Sequence, residues 1–278
     1  MFMLPTKRII FPFRDIYRTN KLIQNLRSCT TSVHCRNFRT SSAALKDDTT
    51  SDMSRQSYWE KYYRTKQPEG SEPYDWFFPY KVAKPYLLQH IHQQSALLAE
   101  RSTGKPPILQ VMELGCGTSD LSAQLFVDEP HMHIHCVDFA EEAIQIMRDK
   151  YIHFLPETEH SPGIQFRHCN VSNLPFTDSR FNICFEKGTI DAVLKQKKHA
   201  TSYAVEVICE VARVLKEDGV FLQFTEERPE LRLSVLEKAK VEILKSRNRN
   251  FSVSFKEVGD FSGIEFFLYI MQDINNGS

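Results

Sequence analysis

Glu113-x-Gly115-x-Gly117 follows the apolar run Ile108–Leu114 and leads into a segment of helical periodicity. Glycines at such a turn let the backbone approach a ligand closely. The dinucleotide fingerprint needs a third glycine, where this chain has Asp120. An acid beside a pyrophosphate at a helix N-terminus is unfavourable, which argues against NAD or FAD. A ligand with an adenosine and no pyrophosphate fits better. Asp138 ends the next apolar run, 21 residues past Gly117. That is the place for a carboxylate accepting hydrogen bonds from ribose hydroxyls. Asn170 and Val171 follow the third run. The amide oxygen of Asn170 can accept from an adenine amino group, and the Val171 N–H can donate to a ring nitrogen. Glu186 ends the fourth run at the mouth of the same crevice, where it could face the cofactor. Asp191, Glu226 and Glu227 are further candidate acids. Lys187, between them, is read as structural.

These residues need a scaffold that brings strand ends together. Strands are predicted at Ile108–Leu114, His133–Asp138, Ile164–His168, Arg180–Phe185 and Val220–Phe224. Helical spacing covers Asp120–Val127, with Ser119 as a cap, then Ala140–Tyr151 and Thr201–Lys216. Phe251–Val258 and Ile264–Met271 flank a glycine-containing turn too short for a helical crossover, so they form an antiparallel pair. Lys240–Asn250 reads as a helix end and a solvated loop. Strands joined by helical crossovers imply an α/β fold with a mostly parallel sheet covered on both faces. The C-terminal hairpin adds one antiparallel strand.

At this point the chain resembles the Rossmann-like, seven-stranded S-adenosyl-L-methionine-dependent methyltransferases. Glu113-Leu114-Gly115-Cys116-Gly117-Thr118 is similar to their first motif, and Asp138 stands at the right interval. The resemblance implies S-adenosyl-L-methionine as cofactor, held by Glu113, Gly115, Gly117, Asp138, Asn170, Val171 and Glu186. Tyr58–Tyr63, Tyr74–Tyr80 and Glu186-Lys187-Gly188-Thr189-Ile190-Asp191-Ala192 resemble the protein-lysine branch of these enzymes. Within that branch, Tyr74–Tyr80 and Leu222–Leu233 look like the members that act on mitochondrial citrate synthase. The resemblance therefore implies a protein partner, citrate synthase. On their place just after the fourth strand, Glu186 is assigned to the cofactor side and Asp191 to the substrate side as catalytic acids. No Asn-Pro-Pro-Tyr run follows the fourth strand, which argues against methylation of adenine or glutamine amides. A small-molecule methyltransferase, for instance in quinone synthesis, and a non-catalytic cofactor-binding module are the competing readings.

Other candidate chemistry is weaker. His131, His133 and His135 alternate, so a strand would place them on one side, yet at the sheet edge opposite the cofactor loop. They read as a half-exposed strand face, and no metal site is assigned. The cysteines show no paired spacing for zinc or a disulfide framework. Cys116, inside the glycine loop, lacks the nearby base a catalytic thiol would need.

The 278 residues divide unevenly in charge. Residues 1–45 carry eight of the 35 bases and one of the 35 acids. That leaves 27 bases against 34 acids, a net −7, in the remainder. A basic, hydroxyl-rich, acid-poor start describes a mitochondrial transit peptide, so residues 1–45 are assigned to targeting and 46–278 to the methyltransferase domain in the mitochondrial matrix. A net-negative body argues against general nucleic-acid binding. No apolar run approaches a membrane span.

Overall fold

A computed structural model of the chain describes residues 53–66, 75–104, 107–158, 161–195 and 199–274. The targeting segment expected over residues 1–45 and Tyr74 of the aromatic motif lie outside these described residues. Helices α1 (Gln56–Lys66) and α2 (Tyr80–Arg101) precede the sheet. The core then alternates β1 (Leu109–Leu114), α3 (Leu121–Asp128), β2 (Met132–Asp138), α4 (Glu141–Lys150), β3 (Gly163–His168) and β4 (Phe181–Lys187). It continues with α5 (Thr189–Leu194), α6 (Ala200–Val214), β5 (Leu215–Thr225), α7 (Pro229–Arg247), β6 (Phe251–Phe261) and β7 (Ile264–Asp273).

The seven strands form one sheet in the order β3-β2-β1-β4-β5-β7-β6. β1 to β5 pair in parallel, and β7 runs antiparallel to both its neighbours. The expected α/β sheet with one antiparallel strand is therefore present. Order reverses at β1, whose two neighbours are β2 and β4. Chains leaving β1 and β4 diverge there and open a crevice at the strands' carboxyl ends.

Each sheet face buries its own core. Val111, Ile134, Ile183, Phe185 and Leu222 meet α2, α3 and α4 on one face. Met112, Leu114, Cys184, Phe221 and Tyr269 meet α5, α6 and α7 on the other. This two-sided burial explains near-continuous apolar strands such as β2, which is buried throughout. Phe78 is wedged against Phe224, Phe261 and Phe266, with ring centroids 5.8, 5.8 and 5.2 Å away. Burying such a ring contributes about 1.5–3 kcal/mol.

Several elements differ from expectation. Helix α6 stops at Val214, because Leu215 already turns into β5 and pairs with Phe181. Helix α7 continues to Arg247, so only the last part of Lys240–Asn250 is loop. It starts with Pro229 at its first turn and stops at Asn248, which adopts φ 52°. The segment Tyr80–Arg101, unassigned from sequence, is a 22-residue helix whose buried face includes polar His90 and Gln94.

Candidate active site

The loop after β1 turns on Gly115 and Gly117, at φ +62° and +50°. Side chains other than glycine are strained in this left-handed region. A Cβ on Gly115 would lie 2.1 Å from Thr189 Oγ1, and one on Gly117 would lie 2.6 Å from the Tyr63 hydroxyl. Both glycines are thus required by close approach as well as by dihedral. Cys116 N donates to Val137 O at 3.1 Å, tying the loop to β2. Ser119 Oγ accepts from Leu121 N at 3.1 Å, but α3 starts one residue later than expected and its N-cap position is Asp120, which makes no side-chain cap bond, so Ser119 is not the cap.

Above this loop lies a cavity of about 340 Å³. That volume suits a small organic ligand. In the order of the strands, the cavity lining runs from Asn170 and Val171 after β3 and Asp138 at the end of β2, through Glu113, Gly115 and Gly117 at β1, to Asp191, Lys195 and Glu226 after β4 and β5. Asp138 is held by backbone donors, Gly117 N on Oδ2 at 2.9 Å and Ala140 N on Oδ1 at 2.8 Å. The Phe139 N–H is a third backbone donor, so about one lone pair is left for a further donor. Burial raises the Asp138 carboxyl to about 6, against the pull of those N–H donors. Glu113 Oε2 accepts from Ser122 Oγ at 2.5 Å, and burial raises this carboxyl to about 7. Asn170 Oδ1 already accepts from Ser172 N, Ser172 Oγ and the Tyr203 hydroxyl, at 3.0, 3.1 and 2.9 Å.

Glu186 departs from its assigned position. In the parallel register Leu114 pairs with Glu186 and Glu113 with Phe185, and laterally paired residues share a face. Glu186 therefore points with Leu114 toward α5–α7, fully buried and away from the cavity lining. Its Oε2 accepts from Thr189 N at 2.6 Å and Ile190 N at 3.4 Å, which fixes the start of α5. Burial, then the charge of Asp191, push this carboxyl upward. The next residue, Lys187, faces the cavity instead. Its Nζ donates to Trp76 O at 2.5 Å and Asp75 Oδ1 at 3.3 Å.

Asp191 does line the cavity. Its Oδ1 accepts from Thr225 Oγ1 at 2.6 Å and from Arg232 Nη2 at 2.8 Å. The Arg232 side chain is wholly buried, and it also donates to Thr225 Oγ1 at 3.1 Å. Glu227 sits beside the cavity without lining it, and Glu226 is exposed at the rim.

The aromatic clusters before the core roof the cavity, as a packed lid at the domain start would. Trp59 and Tyr63 of α1 stack with centroids 5.8 Å apart, and Trp76 meets Trp59 edge-on at 5.7 Å. Glu60 anchors α1 by accepting from Glu141 N at 2.8 Å and Glu142 N at 3.3 Å, the open N-terminus of α4. The aromatic cluster in Tyr58–Tyr63 was the available signal. Tyr203 and Arg232 had none, since each is brought in from a distant helix.

The histidines do not form a half-exposed face. His133 and His135 are buried and stacked, with centroids 4.3 Å apart, beneath Phe176 and Phe181. Burial, then His133, pull His135 down to about 3, so it is a neutral core residue. Among the described residues no group of His, Cys, Asp or Glu could hold a metal ion. A hydrogen bond with Cys136 and burial keep the Cys116 thiol well above its usual range.

The sequence profile described as a methyltransferase domain matches residues 107–258, from β1 into β6. The chain belongs to this methyltransferase family. Its members' cofactor is S-adenosyl-L-methionine, and the residues present fit that group: glycines that leave room for it, a carboxylate at the ribose position and an aromatic roof. Among curated relatives, the mitochondrial citrate synthase-lysine N-methyltransferase of Pongo abelii is 32% identical over 224 residues. That match covers 77% of this chain and 84% of the relative. The Danio rerio protein of the same name is 24% identical, covering 90% of this chain and 95% of its own. The eEF1A lysine and N-terminal methyltransferase of Mus musculus is 29% identical over 166 residues, 59% of this methyltransferase and 20% of that protein.

Proposed function

We propose that this methyltransferase transfers a methyl group from S-adenosyl-L-methionine to a lysine side chain of mitochondrial citrate synthase. The observation that carries the reading is the 32% identity to a citrate synthase-lysine N-methyltransferase across 84% of that relative's length. When bound, the cofactor supplies a methyl group already activated on a sulfonium. The chain's own work is to bind, orient and exclude water. Asp138, with Asn170 and Val171, would hold the adenosine end, and Glu113 with the glycine loop the amino-acid end. Trp59, Tyr63, Trp76 and Phe77 line the cavity, where aromatic faces attract a cation.

The acceptor amine must be neutral to react. With a reference pKa near 10.4, only ~0.4% of a free lysine is neutral at a pH of about 8. A carboxylate beside the amine favours its charged form, and desolvation opposes this. Asp191 is assigned to the acceptor amine. Its charge is offset by Arg232, so it can orient the amine by a hydrogen bond while stabilising the ammonium less than a bare carboxylate would. Proton loss then goes to water before the amine is fully enclosed. Residues 1–45 would deliver the chain to the mitochondrial matrix, leaving 46–278 as the methyltransferase domain.

The test is to incubate the full chain with methyl-labelled cofactor and a mitochondrial extract, then with purified citrate synthase. Label on a lysine peptide of citrate synthase is expected. Label confined to small molecules, or to a different protein, overturns the acceptor assignment.

A further inference from the structure

The amino-acid end of the cofactor is a zwitterion, and the assignments above give its carboxylate no partner. Glu113 can answer only the ammonium. Among the described residues lining the cavity, the cations are Lys187 and Lys195. Lys195 is exposed and stands at the Asp191 end. Lys187 stands at the end of β4, two residues past Phe185, the register partner of Glu113. Lys187 and Glu113 therefore project from the same sheet face, on neighbouring strands.

We propose that Lys187 is a cofactor-binding residue that holds the carboxylate of the methionine moiety, opposite Glu113 on the ammonium.

Three features support this. First, the ammonium of Lys187 is buried, its side chain 4% exposed, yet it lines the cavity. A buried charge is costly unless paired. Its one ion-pair partner, Asp75, is 3.3 Å away and shares the same oxygen with Ser119 Oγ at 2.5 Å. Second, an ammonium has three donors, and the bonds to Trp76 O and Asp75 Oδ1 leave one. Third, the spacing suits the ligand. Asp138 and Lys187 end β2 and β4, with β1 between them. Two strand spacings put them roughly 10 Å apart across the crevice. A ribose at one end and an amino-acid group at the other fill that span. The bond to Trp76 O would then couple cofactor binding to the roof, because Trp76 packs on Trp59 of α1.

The alternative is that Lys187 only ties the Asp75–Trp76 segment to the sheet. Ligands that differ by one group separate the two. Calorimetry would compare S-adenosylhomocysteine with its decarboxylated analogue, which keeps the thioether, adenosine and amine. Wild type should prefer the carboxylate-bearing ligand by about 10- to 100-fold, the worth of a hydrogen bond to a charged group. In Lys187→Met or Lys187→Gln that preference should collapse to within about 3-fold, while affinity for the decarboxylated analogue changes far less. A variant that weakens both ligands equally, keeping the preference, overturns the proposal and leaves Lys187 structural. Equal binding of the two ligands by wild type overturns it as well, and needs no variant to fold.

Discussion

At Asp138 the holding groups are backbone; at Asp191 they are side chains. Asp138 is fixed by the N–H groups of Gly117 and Ala140, both within 21 residues of it. Asp191 is fixed by Thr225 and Arg232, 34 and 41 residues away on β5 and α7. A backbone cradle is shaped by turn geometry, so substitutions elsewhere leave it in place. A side-chain cradle depends on every member, and one of its members is a wholly buried arginine. On the proposed assignments, cofactor binding is then built into the fold, and acceptor recognition is built from residues that can vary independently.

The largest expected effect follows from that contrast. Arg232→Met removes the partner of Asp191 and leaves a buried carboxylate uncompensated, costing about 3–5 kcal/mol of stability. Asp191→Asn removes the charge that Arg232 answers, and should cost a similar amount alone. In the double variant the two losses should not add, because neither charge is left alone. Urea denaturation of all four proteins gives the coupling. Asp191→Asn should also lower turnover on citrate synthase by about 10-fold or more, with S-adenosylhomocysteine affinity nearly unchanged. Additive stability losses, or wild-type turnover in a folded Asp191→Asn protein, would break the comparison.

The same contrast explains what the sequence makes legible. Gly115, Gly117 and Asp138 lie on a local motif, so their place at the cavity follows from spacing. The parallel run of β1 to β5 follows from alternating apolar runs and helices, whereas their order in the sheet does not. Helix α2 hides because His90 and Gln94 occupy core-facing positions, the latter donating to Asp218 O at 2.7 Å. Glu186 fails for a different reason. Successive strand residues face opposite sides, so a one-residue change decides whether a side chain meets the cavity or the helices behind it. Two-sided burial removes the alternation that would have fixed the phase. Arg232 is invisible locally, since only the fold brings α7 against α5 and the end of β5.

An intermediate effect concerns pH. Burial raises Asp138 from 3.8 to about 6 and Glu113 from 4.5 to about 7. Raised carboxyl values mean the folded protein prefers the protonated forms. Their contribution to stability is complete below the unfolded values and is lost as pH rises through about 6 and 7. Cofactor binding runs the other way, because an accepting carboxylate must be ionised. Affinity for S-adenosylhomocysteine should climb between about pH 5 and pH 8, while the apo protein's melting temperature loses the contribution of these two groups earlier, between about pH 4 and pH 7. Asp138→Asn should bind about 10-fold or more weakly and lose the lower inflection, consistent with ~1.5–3 kcal/mol per hydrogen bond to a charged group. A flat wild-type affinity profile would place both acids outside the binding reaction.

The smallest effect sharpens the adenine end. Asn170 Oδ1 has three donors around it: Ser172 N, Ser172 Oγ and the Tyr203 hydroxyl. An amide oxygen has two lone pairs, so a donor must withdraw before an adenine amino group can bond there. Ser172 is two residues along the chain and is held by the turn that Asn170 forms. Tyr203 comes from α6 on a partly exposed side chain, and its hydroxyl is the donor free to swing away. Tyr203→Phe removes that competition at the loss of one neutral hydrogen bond in the free protein. S-adenosylhomocysteine should then bind about 2- to 3-fold more tightly, the low end of what such a bond is worth. Adenosine itself should gain by the same factor, since the competition lies at the base and not at the amino-acid end. Weaker binding of both ligands would mean that Tyr203 contacts the base directly and that Asn170 keeps its turn when the cofactor is bound.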